Sequence, residues 1–514
     1  MINPKIKMIL MIFNVFITGF LLAGNPLIKD IGMSDPHVRV FNDTIFLFTG
    51  HDDSPTDKLW VMKDWRVFKS ADMINWTLAT TISPTDNYMD DASKDCWAAD
   101  VATRNGKYYF YFSDQKRSIG VMMSNTSGGK YIDALGKPLV APMHDPTLFV
   151  DDDANKTPYI VYGDKAGGGF RIAKVNEDMI SLDESTKPII INGQQWIDAP
   201  KWQDKNYLFK YNGTYYLSWG SDYAISKNVY GPYECVGSVG TGFNLNSFAH
   251  GSFFWWKGQF YHIWTYYINA GFKYRECIIT YCHFKGNGEI VTDTDFLSKH
   301  FATGMGQYDA AWPQIEAEWY YEKSNNIKKQ DCAEGDFELT NIENNSWIRF
   351  ANVDLSSAPT LFSARVGNIG GSGSIEIRLD SINGILLGQV IVPKTATTNN
   401  FSSISCNLQK ISGKRDVYLR FKGNETKLFH LNKFSFSNSG VTSTNTIQPD
   451  NLKAYPNPSK SGVFNLNRLE DWTVISNLGY NIAAGHSSVV DLSGQANGIN
   501  LLLANNASIK LMSN

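Results

Sequence analysis

The sequence predicts an all-β protein: a five-bladed β-propeller, then a β-sandwich of jelly-roll type, then a small β-sandwich-like C-terminal domain. Three observations predict this. Between Val38 and Tyr266 a strand, tight turn, strand unit recurs five times. From about Gln314 to Asn438 a second run of alternating strands carries Gly and Asn turns. A polar linker, 439–450, then separates a last set of short strands, 451–514.

Residues 1–24 read as an export signal: Lys5 and Lys7 start it, Met8 to Leu22 is an apolar run of 15 residues, and Ala23 and Gly24 offer a small-residue cleavage site. A membrane span needs about 20 such residues, so no transmembrane segment is expected. The propeller is assigned to 25–305. Its five units are VRVFNDTIFLF, VATRNGKYYFYF, TLFVDDDANKTPYIVY, YLFKYNGTYYLSW and SFFWWKGQFYHIW. Their turn residues Asn42, Asn105, Asn155, Asn212 and Lys257 follow at intervals of 63, 50, 57 and 45, a spacing suited to propeller blades. An Asp or His precedes each unit: Asp35, Asp100, Asp145, Asp204 and His250. Inner strands of blades start near the axis, so these groups are expected to converge at one end of the channel.

Composition narrows the function. The net charge is −3 and no basic run occurs, which argues against phosphate-backbone recognition and hence against a nucleic-acid partner. Aromatics at 13 % suit either stacking on sugar rings or the filling of β-rich cores. The six cysteines are scattered, without metal-site spacing or disulfide density, and read as buried filler. Hydrolysis of a glycosidic bond by inversion needs one carboxylic acid to protonate the leaving oxygen and one carboxylate to activate water, roughly 6.5–9.5 Å apart. A channel ringed by Asp35, Asp145 and Asp204 could supply both. The competing reading of each is an Asp or His that caps a turn.

The strings SDPHVRVFND, VFKSADMINW, CWAADV, HDPTLFVDDD, YLFKYNGTYYLSWG and FAHGSFFWWKGQFYHIW, in this order, resemble glycoside hydrolase family 43, five-bladed propellers acting on plant-wall pentosans. The resemblance implies Asp35 as general base, Asp145 as the carboxylate that raises the acid's pKa and orients it, Trp97 and Asp100 as substrate contacts, and His250 deep in a channel that holds calcium or water. The general acid departs from the pattern. Counting back from Lys210 and Gly213 places Asp204 where the family has Glu, while Asp198 in WIDAP is a rival. Either acid is one methylene short.

The stretch IEAEWY to FSFS, assigned to 314–438, resembles a family 6 carbohydrate-binding module. Resemblance puts Glu316 and Glu318 at a structural calcium site and a sugar cleft at Phe350, Phe401 and His430 or Asn432. YPNPSKSGVF onward resembles a type A sorting domain of the type IX secretion system, implying that machinery as a partner and delivery outside the cell or to its outer surface. Together these imply a secreted inverting glycosidase, of α-L-arabinofuranosidase or β-xylosidase type, acting on a polysaccharide such as arabinoxylan. Calcium would be structural and take no part in the chemistry. The alternative is a non-catalytic glycan-binding propeller with a degraded general acid.

Overall fold

The computed structural model describes residues 21–22, 25–90, 92–114, 118–164, 168–193, 205–239, 250–268, 272–367, 371–394, 401–438, 454–476, 481–495, 498–504 and 507–513. The chain divides into two compact units, 1–307 and 308–514. Apart from Leu21 and Leu22, the expected export signal lies outside the described residues, as does the 439–450 linker.

The first unit is a β-propeller. Five antiparallel meanders of four strands follow one another along the chain, their inner strands being Met33–Phe41, Cys96–Arg104, Met143–Val150, Asn206–Tyr211 and Gly251–Trp256. The hairpins close as their sequences demand: Asn42–Asp43, Asn105–Gly106, Asn212–Gly213 and Lys257–Gly258 each place two successive residues at φ between 47° and 77°. Two such residues make the type I′ turn whose twist matches a two-residue hairpin.

Neighbouring sheets pack through apolar faces. Phe48, Trp65 and Val67 meet Phe110 and Phe112; Tyr111 and Val121 meet Ile160 and Tyr162; Val161 and Ile172 meet Leu208 and Leu217; Phe209 and Tyr216 meet Phe253 and Phe260. Hydrogen bonds join the first sheet to the last. Val38 N–H donates to Ser252 Oγ at 3.2 Å and Trp256 Nε1 to the Asp43 carbonyl at 3.1 Å. The segment entering the first sheet is bound to the last as well, through Asn25 to Ile279 and Leu27 to Cys277. The described cysteines are all free, and Cys96, Cys277, Cys282 and Cys332 are buried.

The second unit opens with two facing sheets. One orders Tyr308–Asp309, Trp347–Asp354, Lys414–Lys422, Gly373–Leu379 and Leu386–Val392; the other orders Lys328–Asp331, Phe337–Thr340, His430–Ser437, Leu361–Gly367 and Phe401–Asn407. Alternation along each strand sends Ile348, Phe350, Ile375, Val417 and Leu419 inward, as a sandwich core requires. The last residues form one five-stranded sheet around the long strand Val463–Ser476, with a core of Phe464, Val474, Val490, Leu502 and Leu511.

Candidate active site

Three inner strands begin with the same irregularity. Register shifts fall between Ser34 and His37, between Cys96 and Ala99, and between His144 and Thr147. In the first and third the inserted pair is Asp-Pro, and proline, lacking an N–H, breaks the ladder and favours a bulge. Asp35 and Asp145 consequently adopt φ of 52° and 51°, a left-handed conformation that costs a non-glycine residue energy and concentrates at functional positions. Both are nearly fully buried. The second bulge carries Trp97 and Ala98, so Trp97 is the positional equivalent of Asp35 and Asp145. Asp100 lies three residues further along. The expectation that Asp100 shares their position is corrected: all three irregularities span two residues, and Asp100 falls three positions past the first of its own.

Residues from far along the chain hold Asp35. Its N–H donates to Thr265 Oγ1 at 3.1 Å, and Thr265 Oγ1 donates to the His250 carbonyl at 3.1 Å. His250 Nδ1 stands 2.5 Å from Asp35 Oδ1, and Arg275 Nη1 donates to the same oxygen at 3.3 Å. Arg275 also grips Asp52 through Nε at 2.9 Å, Nη2 at 3.0 Å and its own backbone N–H at 2.8 Å. Burial raises the Asp52 carboxyl above its ordinary value, with Arg275 opposing, while Asp35 and Asp52 together raise the guanidinium's pKa. Next to Arg275, the carboxylate of Glu276 accepts N–H groups from Ile31 at 2.9 Å, Gly32 at 3.0 Å and Met33 at 3.4 Å. Desolvation pushes its pKa up to about 7.

Asp145 is tied to the strand of the fourth sheet. Lys205 N–H donates to its Oδ2 at 3.1 Å, and Asn206 Nδ2 to its carbonyl at 2.9 Å. The Lys205 ammonium, 1 % exposed, lies 2.7 Å from His37 Nδ1, and His37 Nε2 lies 3.2 Å from Asp100. Burial, then Lys205 and Arg39, drive the His37 pKa well down, so the ring is neutral and accepts at Nδ1. Asp100 is fully buried. Arg39 holds it bidentately at 3.0 and 2.6 Å, and Leu148 N–H donates to it at 2.6 Å. Expected as a substrate contact, Asp100 is instead a buried anchor between inner strands.

Asp204 and Asp198, the rival acids, lie outside the described residues, although the clamp from Asp145 falls on the two residues that directly follow Asp204. Trp97 is half-buried, with its ring edge-on to Trp60 at 6.3 Å, and Trp60 is 39 % exposed. His250, expected deep in a channel that holds calcium or water, turns Nδ1 to Asp35 at 2.5 Å. Among the described residues no cluster of three or more His, Cys, Asp or Glu is arranged to hold a metal.

In the sandwich, Phe350 is a correction. It is 0 % exposed and meets Tyr308 and Phe434 edge-on, so it has no face for a sugar. Asn432 is also buried and donates to Glu334 at 3.1 Å. Phe401 and His430 do come together, each paired in register with Gly367 and each partly exposed. Glu316 and Glu318 are buried, and Gln314 donates to Glu316 at 2.6 Å. His37, Arg39, Thr265, Arg275 and Lys205 were missed by sequence reasoning. The signal for the first two was present: Asp35, His37 and Arg39 put polar groups at every second position of a strand that otherwise turns apolar.

Comparison with known proteins finds two family matches along the chain. Residues 23–275 match the model for glycosyl hydrolases family 43, and residues 316–438 match that for carbohydrate binding module family 6. An arabinoxylan arabinofuranohydrolase of Paenibacillus polymyxa is 27 % identical over 508 residues, covering 84 % of this chain and 77 % of its own. That of Bacillus subtilis is 27 % identical over 492 residues, covering 80 % and 92 %. The crystal structure of a Bacillus subtilis family 43 arabinoxylan arabinofuranohydrolase with cellotetraose matches with TM-score 0.48 at 25 % identity, over 81 % of this chain and 99 % of that one. A family 6 module of Clostridium cellulolyticum, solved with xylose, is 39 % identical over 25 % of this chain and 98 % of its own, with TM-score 0.24.

Proposed function

We propose that the protein, whose residues 23–275 match the model for glycosyl hydrolases family 43 and whose residues 316–438 match that for carbohydrate binding module family 6, releases terminal arabinofuranosyl or xylosyl residues from arabinoxylan or a related hemicellulose. The observation that carries the reading is the pair of bulged, buried carboxylates, Asp35 and Asp145, at equivalent positions in two inner strands.

In this proposal Asp35 is the general base. Its carboxylate is held by His250 and Arg275 and its backbone N–H by Thr265, and it would take a proton from the water that attacks the anomeric carbon. Departure of the polymer oxygen requires a proton from the opposite side, supplied by Asp204, with Asp198 as the rival. The hydrogen bonds from Lys205 and Asn206 to Asp145 favour Asp204, because they set the backbone immediately after it. Asp145 then orients the acid and, as a neighbouring negative charge, favours its protonated form.

The test is a panel of aryl glycosides and arabinoxylan, with the anomeric configuration of the first-formed sugar followed by NMR. Expected is an inverted product with either the arabinofuranoside or the xyloside, and a turnover number about 10²–10⁴ lower in Asp35→Asn. Asp204→Ala should impair poor leaving groups far more than activated aryl glycosides; if Asp198→Ala does this instead, the acid is Asp198. Retained configuration, or an unimpaired Asp35→Asn variant, overturns the mechanism.

The accessory assignments belong to the same proposal. Glu316 and Glu318 are hard oxygen donors nine-tenths or more buried and would hold a structural calcium ion in the sandwich. Chelation should then lower the melting temperature of the sandwich without altering turnover of a soluble glycoside. Residues 1–24 would direct export and 451–514 would be read by the type IX machinery, delivering the enzyme outside the cell or to its outer surface. The self-contained core of the terminal sheet supports a separable role. Deleting the chain after about Gly440 should abolish surface delivery and leave catalysis unchanged.

A further inference from the structure

We propose that a cavity between the first and last sheets of the propeller is a subsite for a neutral sugar unit of the polysaccharide, with Arg66 and Tyr274 as its specificity-determining residues. The inference rests on the catalytic reading above and extends it to the part of the substrate that departs.

The cavity measures about 570 Å³, within the range of pockets that take a small organic ligand. Asp52 forms part of its wall. The same carboxylate holds Arg275 at 2.9 Å, and Arg275 reaches Asp35 at 3.3 Å, so two contacts separate the cavity from the proposed base. The loop 53–61 carries Asp53 and Pro55 into the lining and is closed by the Asp53 N–H, which donates to the Val61 carbonyl at 2.9 Å. It also places Trp60 against Trp97, the bulge residue of the second inner strand. One loop thus borders both the cavity and the inner-strand ends, as the path of a polymer past the site requires.

The lining offers hydrogen bonds that the protein itself leaves unused. Asp64 Oδ1 takes His51 Nδ1 at 2.8 Å and Arg66 Nε at 3.3 Å, which fixes both side chains from behind. Among the described residues, the two terminal nitrogens of Arg66, Nε2 of His51 and the Tyr274 hydroxyl have no hydrogen-bond partner, and all three side chains line the cavity. Burial pushes the Tyr274 pKa up to about 12, so its hydroxyl keeps the proton it would donate. Its ring packs on Gly32, where a Cβ would stand 2.8 Å from the ring; glycine, at φ 74°, is what admits it.

Unused donors in a polar cavity suit a ligand rich in hydroxyls. The charges decide which kind. Lys63 pairs with Asp53, Arg275 answers Asp52 and Arg66 faces Asp64, while Asp30 adds a further carboxylate to the lining. Among these described groups the carboxylates outnumber the Lys and Arg cations, so a uronate would meet like charge and a neutral sugar fits. Ile268, 39 % exposed, offers an apolar surface to the C–H face of such a ring.

The experiment compares kcat/KM on an aryl glycoside with kcat/KM on xylotetraose, plain or bearing one arabinofuranosyl branch, according to which the wild-type protein hydrolyses. Arg66→Met and Tyr274→Phe should each lower the ratio of oligosaccharide to aryl glycoside by about three- to tenfold, mostly through KM, because the lost hydrogen bonds serve ground state and transition state alike. A ratio that stays at the wild-type value in both variants would overturn the proposal. Should Arg66→Met not fold, Tyr274→Phe, which removes only the hydroxyl, decides alone. Calorimetric titration of the Asp35→Asn protein with xylotetraose reads binding without turnover. Adding Arg66→Met there should remove a binding step that adding Phe401→Ala leaves in place, and an unchanged titration overturns the proposal as well. A wild-type protein that turns over no glycoside defeats the catalytic reading, and the titration then still decides on the cavity.

Discussion

Arg275 links the stability of the propeller to its chemistry, and the two contributions can be separated. Its guanidinium lies 2.9 and 3.0 Å from Asp52 and 3.3 Å from Asp35, and all three groups are buried. Arg275→Met keeps the length and apolar stem but leaves Asp52 as an uncompensated buried charge. Breaking such a pair costs about 3–5 kcal/mol. At roughly 2–4 °C per kcal/mol for a domain of this size, the melting temperature should fall by roughly 6–20 °C. The charge acting on Asp35 is lost as well, a gross interaction on the order of 4 kcal/mol at an effective dielectric of about 20. Loss of that charge makes the carboxylate easier to protonate, so the acidic limb of kcat/KM should move upward in pH. Adding Asp52→Leu replaces the broken pair with apolar contact and should recover most of the stability while leaving the limb displaced. Calorimetry and pH–rate profiles on a soluble aryl glycoside measure the two effects independently. A double variant that regains both stability and the wild-type profile would show that Arg275 acts only through the fold. An Arg275→Met variant melting with the wild type would remove the Asp52 pair from the stability argument.

Glu276 should make stability depend on pH. Its carboxyl is raised from 4.5 to about 7, so between these values the native state keeps a proton that the unfolded chain releases, and stability falls as pH rises through the window. The loss is on the order of 3 kcal/mol, and Glu276→Gln should flatten it; melting curves that keep the wild-type slope in this variant would assign the dependence to another group. In the sandwich, Phe350→Ala should cost about 3–5 kcal/mol as a core truncation, measured by denaturation of that unit; a negligible loss would contradict its full burial. Phe401→Ala should instead weaken retention on insoluble xylan in a pull-down while leaving soluble turnover alone, and unaltered retention would make Phe401 a packing residue.

The repeat of hairpins was legible because its turns are local chemistry: Asn-Gly and Asn-Asp pairs accept the positive φ that a two-residue connection imposes. Asp35 and Asp145 stood out because each precedes a hairpin unit and lies in a string that resembles family 43. Asp100 was misplaced because the bulge position of its strand is filled by Trp97 instead of an Asp, and the nearest carboxylate along the strand was read in its place. Phe350 was misread because a motif match says nothing about which face of a strand is wet, whereas the alternation of buried and half-buried residues from Trp347 to Phe350 does. Lys205 and Arg275 were missed for a different cause. Their partners His37 and Asp35 lie 168 and 240 residues away, so no window along the chain contains both members of either pair.

With Asp35 as the proposed base, the polar junction between the first and last sheets would make catalytic competence a property of ring closure. Asp35 enters on the first strand, but His250, Thr265 and Arg275, which aim it, arrive with the last sheet, more than 200 residues later. A chain that has formed four sheets holds Asp35, the proposed base, without the hydrogen bonds these three residues give it. Contacts of such sequence separation form late, because the entropy of closing the long loop must be met before they contribute. Activity should therefore emerge in one step with the final clasp during refolding, trailing the earlier gain of β-structure, and a hydrolase of this design stays silent until its circle is complete.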